Sequence, residues 1–398
     1  MKQDRNPHHG GRRTFLSALG ALAGATAFPA IVRAEPPIRL GLMLPYTGTY
    51  AQLGTAIENG IRLALAENGG GLGGREVQFF KVDDESDPAK ATDNANRLVT
   101  RDKVDVLIGT VHSGVAMGMI KVARDTGTLL VIPNAGADAA TGPLCAPNVF
   151  RTSFSNWQPV HPLGKVMVDR GHKRAAFITW RYAAGEESLA SFKQGYEKAG
   201  GKVVRELFVP FPNVEFQALL TEIAATRPDA VACFFAGGGA VKFVRDYAAA
   251  GLKEKIPLYG SGFLTEGVLP AQGEAAEGLL TTLHYAESLD LPRNKAFRAA
   301  YAKAYAIDPD VYAVQGYDAG LLLRQAADRV KGDFANREAV VAAMEGATID
   351  SPRGRWTMSK AHNPIQDIYL RRVENGDNKV IDVAWKALAD PARGCRMG

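Results

Sequence analysis

A serine beside a histidine in a turn is the first place in this chain where chemistry could happen. In Ile108-Gly109-Thr110-Val111-His112-Ser113-Gly114, the apolar run Val104 to Leu107 gives way to a helix-like run from Val115 to Arg124. Ser113 is placed to N-cap that helix, leaving its hydroxyl and the next free N–H groups turned toward whatever lies beyond the strand. Such an end suits an anion or a small polar ligand. An ordinary strand-to-helix turn of an α/β protein would show the same residues. Catalysis has little support: adjacent side chains in a turn usually diverge, and no third group completes a triad with His112 and Ser113. The chain also lacks G-x-S-x-G, H-E-x-x-H and C-x-x-C, so an enzyme is not expected.

Other motifs fail on context. Gly69-Gly70-Gly71-Leu72-Gly73-Gly74 spells G-x-G-x-x-G, but it follows a helix and precedes a strand, the reverse of a dinucleotide fingerprint. Gly237-Gly238-Gly239 opens a helix after a strand, yet no Gly-Lys-Ser/Thr follows, so it is no phosphate loop. Close backbone approach to a ligand or to another part of the fold stays open there. In Asp83-Asp84-Glu85-Ser86-Asp87, Asp87 serves better as the N-cap of a helix starting at Pro88 than as a metal ligand.

These groups need elements to carry them. Residues 1–34 are set aside as an export signal: Lys2, Arg5, Arg12 and Arg13 precede a moderately apolar run from Phe15 to Ile31, and Val32-Arg33-Ala34 suits cleavage. Arg12-Arg13-Thr14-Phe15-Leu16 resembles a twin-arginine signal. The expected location is the periplasm, with the signal cleaved near Ala34. The signal holds five of the 47 Lys and Arg residues against one acid, Asp4. The mature chain is therefore almost neutral, and a nucleic-acid partner is not expected.

No other stretch is apolar enough to span a membrane. A 398-residue chain with 46% hydrophobic composition exceeds what one core usually holds, so two lobes are expected. Of three cysteines, Cys233 sits in a buried-strand pattern, while Cys145 and Cys395 lie in loops where an oxidising compartment permits a disulfide.

From Ile38, short apolar runs alternate with amphipathic ones. Strands are expected at 38–44, 77–82, 104–108 and 129–132, with helices at 52–68, 88–102 and 113–126 between them. A second series repeats the pattern: helix 158–170, strand 174–180, helix 186–199, strand 203–208, helix 215–226, strand 230–235 and helix 240–250. Helices 292–305, 313–330 and 337–347 follow, then a tail at 355–358, 368–373 and 379–383 that alternates like antiparallel strands. The pattern is α/β, with two parallel sheets covered by helices.

Leu44-Pro45-Tyr46-Thr47-Gly48, Ala51-Gln52, Val82 to Pro88, Ile108-Gly109 with Ser113, Ile132-Pro133-Asn134-Ala135 and Ala184-Gly185-Glu186 occur in order along nearly the whole mature chain. In this the chain resembles the periplasmic solute-binding proteins of branched-chain-amino-acid-type ABC transporters. The resemblance implies the type I periplasmic-binding-protein fold: two doubly wound parallel-sheet lobes joined by three hinge crossings and closing on a ligand. It places the crossings near 152–155, 279–283 and 349–353. Lobe 1 is then 35–153 plus 281–350, and lobe 2 is 154–280 plus 351–398. It also implies a monomer without a cofactor, whose partners are a small ligand and the membrane permease subunits of an ABC importer.

Departures from the amino-acid-binding members bear on the ligand. Those members are similar but place Thr or Ser two residues after Asn134, where this chain has Gly136. They place Tyr before the Gly-Glu of the second lobe, where it has Ala184. They also use Glu for the ligand ammonium in the loop that here reads Gly260-Ser261-Gly262-Phe263. An unpaired buried ammonium costs several kcal/mol, so an α-amino acid fits only if Glu266 or Glu186 substitutes.

The resemblance therefore points to the aromatic-carboxylate-binding members: benzoate, hydroxybenzoates or phenylpropanoids. The expected carboxylate holders are Ser113 and the N–H groups around Ser113-Gly114 and Ala135-Gly136, with His112 or Asn134 adding donors. Tyr50, Tyr182, Phe235 and Phe263 are the expected aromatic walls, although each of them could instead be core. A carrier for branched-chain or other aliphatic amino acids, or a ligand-sensing receptor module, are the alternatives.

Overall fold

A computed structural model describes residues 35–67 and 69–397; the expected export signal lies outside the described residues. The first sheet is built from β1 (Ile38–Leu44), β2 (Val77–Asp83), β3 (Val106–Ile108), β4 (Leu129–Ile132) and β5 (Val149–Arg151), in the order β2-β1-β3-β4-β5. All its pairings are parallel. Near-continuous Leu, Ile and Val make strands that can be buried on both faces, and β3 and β4 are wholly buried. The crossovers are α1 (Ala51–Ala66), α2 (Ala91–Asn96) and α3 (Ser113–Thr126). The helix expected over 88–102 is one run in three geometries, with a 3-10 turn at Pro88–Lys90 before α2 and a π turn at Arg97–Arg101 after it. Asp87 caps its start, accepting from the Ala89 N–H at 2.9 Å.

The chain then crosses to a second sheet through α4 (Trp157–Asp169), β6 (Arg174–Arg181), α5 (Ala183–Lys198), β7 (Lys202–Pro210), α6 (Gln217–Thr226), β8 (Ala230–Phe234), α7 (Gly237–Ala249), β9 (Leu258–Ser261), α8 (Leu269–Gln272) and β10 (Leu280–Leu283). It returns in α9 (Pro292–Tyr305), α10 (Val311–Val330) and α11 (Arg337–Glu345), with α10 lying along α1. It ends in β11 (Thr348–Ser351), β12 (Gly354–Met358), β13 (Pro364–Glu374) and β14 (Asp377–Leu388). The nine-stranded sheet runs β11-β12-β13-β10-β9-β8-β6-β7, with β14 on β13. It is parallel from β7 to β10 and antiparallel beyond.

Hydrogen bonding moves two of the expected boundaries. Thr281 to Leu283 pair with β9 and β13, and Thr348 to Asp350 pair with β12. Both segments, expected in lobe 1, therefore hydrogen-bond into the larger sheet.

The turn between β11 and β12 is tied to α10 and to the segment after β5. Arg353, buried, binds Asp318 of α10 at 2.7 Å and donates to the Thr152 carbonyl at 2.7 Å. Between the sheets the cleft is shut: the Tyr50 and Tyr182 hydroxyls pair at 3.0 Å, Gln52 donates to the Gly267 carbonyl at 3.3 Å, and Gly237 lies against the Thr49 carbonyl. Cys145, between β4 and β5, is bonded to Cys395, beyond β14, with a Cα–Cα distance of 5.6 Å. Cys233 is free and buried, and burial pushes its thiol pKa up. Among the described residues no helix is long and apolar enough to cross a membrane, and no cluster of His, Cys, Asp and Glu could hold a metal ion.

Candidate functional site

The segments leaving the carboxyl ends of β3, β4, β6, β8 and β9 meet in one narrow cavity. That is the place where open parallel sheets bind ligands. Its walls are largely aromatic: Tyr50, Phe154, Tyr182, Phe234, Phe263 and Tyr312. Phe263 packs against Phe154 at 4.7 Å between ring centres and lies 6.3 Å from Phe234, edge on. Ser113, Asn134, Asn156 and the Gly136 backbone supply the main polar lining. No Lys, Arg, Asp or Glu side chain lines it.

The N-terminus of α3 lies at one end of the cavity, with a change from expectation. The N-cap is His112, not Ser113: its Nδ1 accepts from the Gly114 N–H at 3.1 Å. Burial lowers the His112 pKa to about 4, so the ring is neutral at neutral pH and Nδ1 is available as the acceptor. Ser113 becomes the first helical residue, and its N–H has no intrahelical partner. The Gly114 N–H is spent on the cap, and the Ala135 N–H is spent on the Thr110 carbonyl at 2.9 Å. The Ser113 and Gly136 N–H groups have no acceptor among the described residues. The Tyr312 hydroxyl is buried and also lacks a partner. Buried polar groups are nearly always paired, so three donors around one cavity mark where a polar ligand would bind.

The chain was compared with known proteins. Residues 37–378 match the model of the periplasmic binding protein family. The chain belongs to that family. Among curated relatives, it is 30% identical to the Leu/Ile/Val-binding protein homolog 6 of Brucella melitensis over 368 residues, covering 91% of this chain and 92% of the relative. Among solved structures, it is 51% identical to an ABC-transporter solute-binding protein of R. palustris in complex with benzoate. That match has a TM-score of 0.89 and covers 91% of this chain and all of the other. The solute-binding protein of Rhodopseudomonas palustris HaA2 in complex with p-hydroxybenzoic acid is 30% identical at a TM-score of 0.85, covering 89% and 99%. Both of these solved structures are of ABC-transporter solute-binding proteins.

In this periplasmic binding protein, Tyr50, Ser113, Asn134, Gly136, Tyr182 and Phe263 all line the cavity. Gly114 and Ala135 have spent their N–H groups. His112 stacks on Tyr182 at 4.6 Å between ring centres and supports the wall from behind. Phe235 is a correction. It packs among Trp180, Phe216 and Phe243 at 5.0, 5.1 and 4.6 Å, and its neighbour Phe234 takes the wall instead. Successive strand residues point to opposite faces, so the expectation was out of phase by one residue.

Phe154 and Asn156, at the first crossing, and Tyr312, in the first turn of α10, were missed. The resemblance placed a crossing at 152–155, and an aromatic in it and an amide just after it were the available signal.

The departures from amino-acid binders have physical counterparts. A Cβ at Gly136 would run into Asn156 and Phe154, and one at Gly262 would run into Leu283 and the Arg371 guanidinium. Glu266 cannot serve an ammonium: it is fully buried, one oxygen pairs with Arg371 and the other accepts from the Val311 N–H at 3.0 Å. Glu186 is exposed.

Proposed function

We propose that the protein is a periplasmic carrier that closes on a small aromatic carboxylate, benzoate or a hydroxybenzoate, and delivers it to an ABC-importer permease. The observation that carries this reading is the pairing of aromatic walls with unspent N–H donors at Ser113 and Gly136, in a cavity lined by no carboxylate. A carboxylate there would accept bonds at a helix N-terminus, where the dipole favours negative charge. Aromatic side chains would flank its ring. Ligand binding then shifts the population toward the closed form.

Calorimetry with benzoate, 4-hydroxybenzoate and leucine is the test. Aromatic-acid binding with no leucine response is expected. Micromolar leucine binding without an aromatic-acid response would turn the assignment to an amino-acid carrier, the class that the names of the curated relatives favour. Ser113→Ala should weaken aromatic-acid binding by about 10- to 150-fold, the range for one hydrogen bond to a charged group. Unchanged affinity would remove Ser113 from the site.

A further inference from the structure

Behind the cavity a carboxylate reaches from one sheet's helix to the other sheet's loop. Glu187 is carried by α5, against the nine-stranded sheet, and one of its oxygens accepts from the Asp138 N–H at 3.1 Å. Asp138 follows β4 of the smaller sheet. The same oxygen accepts from Asn156 Nδ2 at 2.6 Å, and Nδ2 also lies 3.3 Å from the Ser113 hydroxyl oxygen. Asn156 is itself fixed, since its N–H donates to the Gly136 carbonyl at 2.7 Å. The first of these bonds joins the smaller sheet's loop to the larger sheet's helix in the shut form.

We propose that Glu187 is a closure latch and a positioning residue: it ties α5 to the Asp138 loop and, through Asn156, sets the Ser113 hydroxyl against the ligand. The ligand part of this rests on the aromatic-carboxylate reading; the latch itself does not.

The latch has a titration signature. Asp138 is pushed up to about 7, first by burial and then by the Glu187 charge; Arg151 and the Trp157 N–H oppose this, while Asp390 adds to it. Glu187 is raised as well, by burial, against the pull of Asn156, the Asp138 N–H and Arg151, with Asp390 again raising it. Glu187 accepts its two bonds as a carboxylate would, and the two carboxyls beside each other favour the uptake of one proton by the pair. In an open cleft both carboxyls meet water and return toward about 4. A closed-state value above the open-state value means that closure takes up a proton. Affinity then rises as pH falls through about 7, by about tenfold in all between pH 8 and pH 6 for one proton.

The test compares Glu187→Ala and Glu187→Gln with the parent protein by stopped-flow binding of benzoate at pH 6 to 8, with circular dichroism to verify folding. Glu187→Ala should speed benzoate release by about 10- to 100-fold and change the on-rate far less. Glu187→Gln, which keeps an acceptor oxygen but loses the charge, should restore slow release while flattening the pH slope. Release rates equal to the parent's in Glu187→Ala, or an unaltered pH slope in Glu187→Gln, overturn the latch. If the parent protein binds no aromatic acid, the ligand reading fails. The latch is then judged on ligand-free protein, by hydrogen exchange of the Asp138 amide and by small-angle scattering. Faster exchange and a larger radius in Glu187→Ala support it, and values equal to the parent's overturn it.

Discussion

Glu266→Ala should lower the unfolding free energy by about 3–5 kcal/mol, the cost of leaving one member of a buried ion pair alone. Arg371 and Glu266 are both completely buried and paired. The Arg371 guanidinium also donates to the Tyr285 carbonyl at 2.8 Å, the Gly262 carbonyl at 3.0 Å and the Thr281 hydroxyl at 3.1 Å. It therefore holds the turn that presents Phe263 to the cavity. Without Glu266 the cation keeps only neutral acceptors in a medium that penalises unpaired charge. Removing both charges in Glu266→Leu/Arg371→Met should recover most of the loss, because well-packed apolar groups can replace a buried pair at little cost. Urea unfolding of the single and double variants measures this. A Glu266→Ala variant within 1 kcal/mol of the parent would show that the pair carries no such burden and would reopen Glu266 as a ligand group.

Opening the Cys145–Cys395 bond has a comparable expected effect. The two residues are 250 positions apart, and a loop of that length is worth about 5 kcal/mol in the chain-entropy model of disulfide stabilisation. Strain and residual structure in the unfolded chain usually reduce the measured value. A Cys145→Ser/Cys395→Ser variant should therefore lose about 3–5 kcal/mol. The parent protein in reductant should match it, because Cys233 is buried. A loss below 1 kcal/mol would mean that the non-covalent contacts of the C-terminal tail already do the tethering.

Much of the fold was legible because parallel sheets write long apolar runs. β1 and α9 lie where the pattern puts them, and Asp87 before Pro88 is a cap that needs no tertiary context. The strands that escaped reading, β5 (Val-Phe-Arg), β9 (Leu-Tyr-Gly-Ser), β10 (Leu-Thr-Thr-Leu) and β11 (Thr-Ile-Asp-Ser), are three or four residues each, too short or too polar to stand out. Their burial comes from neighbours far away in the chain.

The site was legible only where it follows a strand, as at Ser113, Asn134, Gly136 and Tyr182. When every residue of a strand is buried, as in Ala-Val-Ala-Cys-Phe of β8, hydrophobicity does not reveal its phase. That is why Phe235 stood in for Phe234. Phe154, Asn156, Tyr312 and Glu187 reach the site through crossings and helix starts, and no local pattern marks such side chains as neighbours.

The cysteine arrangement makes the protein suited to reagentless sensing. Two thiols are locked in the Cys145–Cys395 bond and the third, Cys233, is sealed inside the larger sheet. A single new thiol would thus be the only one a maleimide dye can reach. Gly238 sits at the rim, exposed, and a Cβ there would come no closer than 3.4 Å to the Thr49 hydroxyl oxygen of the facing segment. A fluorophore on Gly238→Cys would face the Thr49 segment across the shut rim while staying in reach of solvent, so a change of emission on adding benzoate would report the capture proposed above.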